Sequence, residues 1–69
     1  MATSVARVTE ISAKSDTSFE DAVQAGIDRA NKTLRNVQSA WVKEQRVNID
    51  GGTVKSYQVN LLVTFQLDD

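Results

Sequence analysis

The chain has 69 residues, of which 41% are hydrophobic and 25% charged, with a formal net charge of −1 and no cysteine, proline or histidine. That composition suits one soluble globular domain over residues 1–69. It excludes a disulfide framework, removes the commonest metal ligand and general base, and leaves no basic patch for nucleic acid.

No apolar run has the length of a signal peptide core or a membrane span, so the expected location is the cytoplasm. Size sets a further condition. A domain this short buries only about 60% of the surface of its unfolded chain. Such domains are usually held by disulfides, a metal or partner chains. With no cysteine and no His/Cys cluster, partner chains remain.

Residues 5–12 read as a first strand. The next element is the clearest: Phe19, Val23, Ile27, Ala30, Leu34 and Val37 recur at steps of four, four, three, four and three. That is the period of one helix face, and Ala22 and Gly26 widen it with small residues. The spacing predicts a helix over 18–36. Thr17 or Ser18 is its N-cap, and Thr17 with Glu20 has capping-box spacing. Glu20 and Asp21 suit the positive end of the helix dipole. Gly26 weakens the helix by about 1 kcal/mol relative to alanine, which points to a close approach to the sheet.

Residues 39–49, with Trp41, Val42, Val47 and Ile49, read as a second strand. Asp50, Gly51 and Gly52 supply hairpin turn chemistry. The C-terminal run then alternates, with Tyr57, Val59, Leu61, Val63, Phe65 and Leu67 on one face. Gln58, Asn60, Leu62, Thr64, Gln66 and Asp68 form the other. Asp68 and Asp69 read as a solvated tail.

The expected fold is α+β, in the order β-α-β-β. The third strand lies between the other two and runs antiparallel to both, and the single helix covers the face of Tyr57, Val59, Leu61, Val63 and Phe65. If the second strand alternates regularly, the uncovered face carries Trp41, Val47, Ile49 and Leu62. An apolar patch of that kind marks an interface or ligand site. Enzyme chemistry has little support. Cysteine and histidine nucleophile systems are absent, and Gly51-Gly52 lies in a hairpin turn, not ahead of a helix.

The stretch Phe19-Glu20-Asp21-Ala22-Val23-Gln24-Ala25-Gly26-Ile27, with Arg29-Ala30 and Lys32-Thr33-Leu34-Arg35 after it, resembles the helix of the dodecin family. Val42-Lys43-Glu44-Gln45-Arg46 resembles the family's second strand. Tyr57-Gln58 and Phe65-Gln66-Leu67 resemble its third. The resemblance covers nearly the whole chain. It implies a hollow homododecameric shell that binds and stores flavin (riboflavin, FMN or FAD) at subunit interfaces without catalysis. Coenzyme A stands as a further small-molecule partner. In flavin-binding members a tryptophan of the second strand stacks on the isoalloxazine ring, and a glutamine of the third bonds its pyrimidine edge. The glutamine maps onto Gln58. An ungapped match puts Ser39 at the stacking position, and the chain's tryptophan, Trp41, follows two residues later. Residues two apart share a strand face, so the resemblance implies Trp41, Gln58 and Ser39 as flavin-binding residues, with Trp41 about 6.6 Å from Ser39. Some members lack the tryptophan and are linked to calcium. The alternative is therefore a shell with a structural or calcium-binding role, for which Glu44 and Asp50 are the candidate carboxylates.

Overall fold

The structure, a computed structural model, describes residues 3–67, so the expected tail at Asp68 and Asp69 lies outside the described residues. The element order is β1 (Ala6–Ser15), α1 (Phe19–Thr33), β2 (Val37–Asp50) and β3 (Thr53–Gln66). β3 is the central strand, antiparallel to β1 on one side and β2 on the other. The expected topology holds. The strands run longer than the apolar pattern alone indicates, because the polar residues Lys14, Ser15, Thr53 and Ser56 continue the pairing.

Ser18 caps the helix: its backbone is extended and its Oγ accepts from the Asp21 N–H at 3.0 Å. Of the two expected caps it is Ser18, and the capping box expected of Thr17 with Glu20 does not form. Asp21 does not reach back to the cap N–H. Its Oδ2 instead accepts from Ser15 Oγ at 2.6 Å, and Ser15 Oγ accepts from the Thr17 N–H at 2.9 Å. Ser15, at the end of β1, is buried, and its hydroxyl ties strand, turn and helix start together. The helix stops at Thr33, three residues before its expected end. The Leu34 N–H still bonds the Ala30 carbonyl at 2.8 Å. Asn36, at φ 58°, then turns the chain into β2, in the left-handed region that asparagine tolerates.

The centre of the helix–sheet interface is a row of small residues. Ala22, Gly26 and Ala30 are the buried helix positions, whereas Phe19, Val23, Ile27 and Leu34 flank them half-buried. On the sheet, Val59, Leu61 and Val63 are fully buried beneath this row. A Cβ added at Gly26 would stand 3.0 Å from Leu61 Cδ1 and 3.2 Å from Ala13 Cβ. The glycine thus marks the close approach expected of it. The Phe19 and Tyr57 rings meet edge to face at 5.1 Å and close one end of the core.

The helix packs on β1 and β3 and hardly touches β2. β2 is the edge strand beyond β3, and the hairpin also outruns the helix. Fifteen helical residues span about 22 Å, whereas the 14 residues of β2 or β3 span about 46 Å. The hairpin projects past its cover, and the molecule measures 55 × 20 × 14 Å. Its radius of gyration is 14.4 Å, against about 11 Å for a closed domain of this length. It exposes 5230 Å², where about 4300 Å² is usual for its mass. One chain is open around a small core.

The hairpin turn is Gly51-Gly52, between the paired residues Asp50 and Thr53. Both glycines have positive φ, 60° and 79°, as a two-residue hairpin of matching twist requires.

Candidate functional site

The helix leaves one face of the sheet uncovered. Pairing register defines that face, because residues directly opposite each other project to the same side. Gln58, Asn60, Leu62 and Thr64 of β3 lie on it. Their partners on β1 are Lys14, Ser12, Glu10 and Val8. Their partners on β2 are Arg46, Glu44, Trp41 and Ser39.

The expected regular alternation of β2 fails, because the pairing shifts register between Val37 and Ser39, between Val42 and Glu44, and between Asn48 and Ile49. At the second of these shifts Lys43 is an extra residue in a bulge. A bulge sets two residues of one strand against one of its partner, which resets the alternation beyond it. Trp41 and Leu62 therefore share the open face as expected. Val47 does not: it stands opposite Tyr57, on the helix side. Ile49 pairs with Val54 near the turn, beyond the third register shift, and both are exposed. Lys43 extends across β3 to Glu10, with Nζ 3.2 Å from Oε1. Both side chains are about half exposed, so the pair contributes only about 0–1 kcal/mol.

Trp41 is 61% exposed, and Ser39 stands two residues away on the same face. An indole left in water on a strand is apolar area that the described residues leave uncovered. Beside Ser39, Thr64 Oγ1 is shielded from solvent and has no hydrogen-bond partner among the described residues.

Gln58 is half-buried between Lys14 and Arg46. Its Nε2 donates to Ser12 Oγ at 3.0 Å, and its Oε1 accepts from Asn48 Nδ2 at 3.5 Å. Asn48 Nδ2 also donates to Ser56 Oγ at 2.9 Å. One step along, Asn60 Nδ2 donates to Glu44 Oε1 at 3.1 Å. Glu44, Gln45, Arg46, Gln58 and Asn60 line an open recess of about 200 Å³. The contributions of Ser12 and Asn48 have no signal in the sequence, where they read as ordinary polar strand residues.

The three expected site residues share a face but not a point. Trp41 is level with Leu62 and Ser39 with Thr64, four and six residues along β3 from Gln58. At strand rise these offsets are about 13 and 20 Å. Glu44 and Asp50 are likewise apart: Glu44 holds Asn60, and Asp50 lies 3.9 Å from Lys55 at the turn. Among the described residues no three His, Cys, Asp or Glu side chains gather into a metal cluster. No described helix is long and apolar enough to cross a membrane.

Comparison with known proteins adds the family context. The family model described as Dodecin matches residues 5–68. A dodecin of Thermus thermophilus is 43% identical over 60 residues, covering 87% of either chain. The structure of dodecin from Streptomyces coelicolor superposes with a TM-score of 0.91 at 33% identity, covering 100% of this chain and 99% of that one. A calcium-chelating antigen of Mycobacterium tuberculosis, calcium dodecin, superposes with a TM-score of 0.81 at 31% identity, covering 94% and 93% of the two chains.

Proposed function

The chain belongs to the dodecin family, and from that premise we propose that it binds and stores flavin between copies of itself, in a closed homo-oligomer of twelve chains. The flavin is riboflavin, FMN or FAD, the location is the cytoplasm, and the role is binding without catalysis. Each chain contributes one domain.

The observation that carries the reading is the uncovered sheet face, on which an exposed indole and a tethered glutamine amide both stand. A flat heteroaromatic ligand needs such a pair: an aromatic plane for its ring, and a donor–acceptor group for its polar edge. Trp41 and Gln58 of one chain are too far apart along the strand to grip one ring together, so different copies supply the two halves of each site. Self-association has its own support in the excess exposed surface and the long hairpin without a helix over it. Trp41, Val42, Ile49 and Val54 are exposed apolar side chains of that hairpin, and their burial against other copies provides the missing core.

The test is a flavin titration followed by fluorescence, with the native mass measured on the same sample. Quenched emission at a mass of about twelve chains is the expected result. A stable folded monomer at micromolar concentration, or flavin emission unchanged by the protein, overturns it.

The calcium-chelating relative supports a second reading, a calcium-holding shell. Because carboxylates are dispersed over the described residues of one chain, that site is also assembled from several copies. Calcium titration by calorimetry separates the two readings.

A further inference from the structure

Gln58 carries the polar half of the flavin reading, and its amide is tethered from both flanking strands. Ser12, on β1, takes one N–H of Nε2 at 3.0 Å. Asn48, on β2, donates to Oε1 at 3.5 Å. Asn48 is itself held by Ser56 Oγ at 2.9 Å, and Ser56 is only 5% exposed. A primary amide has two N–H groups and two carbonyl lone pairs. After these bonds, one N–H and one lone pair remain for a ligand. They complement a ring imide, in which a carbonyl adjoins an N–H.

We propose that Ser12 and Asn48 are positioning residues. They fix which end of the Gln58 amide donates and which accepts, and so make the site selective for ligands with an unsubstituted imide edge. An untethered glutamine would lose rotamer freedom on binding and would present either end of its amide. Here that ordering is already present before a ligand arrives. The proposal rests on the flavin reading of Gln58, which it deepens by naming the recognised group.

The experiment is a double-mutant cycle on the full-length oligomer, with FMN and N3-methyl-FMN as probes and native mass recorded throughout. S12A and N48A are each expected to weaken FMN binding by about three- to tenfold at unchanged mass. In the Q58A background the same substitutions should leave the FMN affinity unchanged, because the group they position is gone. N3-methyl-FMN, whose imide donor is blocked, should bind weakly and respond little to either substitution. A merely structural role would lower affinity equally with and without Gln58. That result, or full FMN affinity in both single variants, overturns the proposal. Ser12 is exposed, so its cycle alone decides the matter if N48A fails to assemble. If the parent protein binds no FMN, the flavin reading falls and takes this inference with it. That outcome is distinct from a parent that binds FMN while S12A and N48A bind it equally well.

Discussion

Gly26→Ala sets two effects of opposite sign against each other. Alanine in place of glycine in a helix interior stabilises it by about 1 kcal/mol. The new methyl would stand 3.0 Å from Leu61 Cδ1, 3.2 Å from Ala13 Cβ and 3.5 Å from Ile11 Cδ1. Leu61 is fully buried between Val59 and Val63, and the Ala13 Cβ is fixed directly to the backbone of a paired strand, so neither yields freely. Overpacking of this kind destabilises by about 1–3 kcal/mol. The packing term wins, and the net loss is about 1 kcal/mol, or about 4–8 °C in Tm for a domain of this size. Ala25→Gly, on the exposed side of the same helix turn, is the control. It loses about 1 kcal/mol through helix propensity alone. The assay is urea unfolding followed by circular dichroism at one fixed subunit concentration, since association makes apparent stability depend on concentration. Native mass must match the parent's. Leu61→Ala adds a second arm. Alone it costs about 2–5 kcal/mol. Beside Gly26→Ala it should cost at least about 0.5 kcal/mol less, because the new methyl occupies part of the void. A Gly26→Ala protein more stable than the parent by the full propensity gain would refute the argument that the helix approaches the sheet this closely.

Further outcomes follow from the same geometry. Gln58→Ala should weaken flavin binding by about 1–3 kcal/mol while the assembly persists; unchanged affinity in a titration would remove Gln58 from the site. Trp41→Ala should weaken flavin binding and restore emission from flavin that remains bound, and Trp41→Phe should weaken it less, since a flat ring remains. If Trp41 serves only packing between copies, Trp41→Ala lowers the native mass and leaves bound-flavin emission unchanged. Ser18→Ala removes the acceptor for the Asp21 N–H and should lower stability by about 1 kcal/mol. Ser15→Ala should cost at least as much, because its hydroxyl is buried and bonds both Asp21 and the Thr17 N–H; equal urea midpoints for parent and Ser15→Ala would contradict that.

The residues of α1 and β3 state their own structure, because their periods of 3.6 and 2 are local properties of a chain that buries one face. For the same reason the cap at Ser18 and the turn at Gly51-Gly52 could be placed within a residue. Each rests on a backbone requirement met by neighbours in sequence. The order β1-β3-β2 was also legible, since a short hairpin must pair β2 with β3 and a helix must carry the chain across from β1. The resemblance to dodecins pointed to Trp41, Ser39 and Gln58, and β-strand alternation put Trp41 and Ser39 on one face. Other features needed the tertiary structure. A single extra residue at Lys43 sends Val47 to the helix side, yet no local residue pattern marks a bulge, which follows from pairing with a strand more than ten residues away. The tether of Gln58 joins Ser12 and Asn48, separated from it by 46 and 10 positions. Their meeting depends on the register of three strands, and register is set by the core packing of Ile11, Ala13, Val59, Leu61 and Val63 against the helix, on the opposite face of the sheet from the site it aligns.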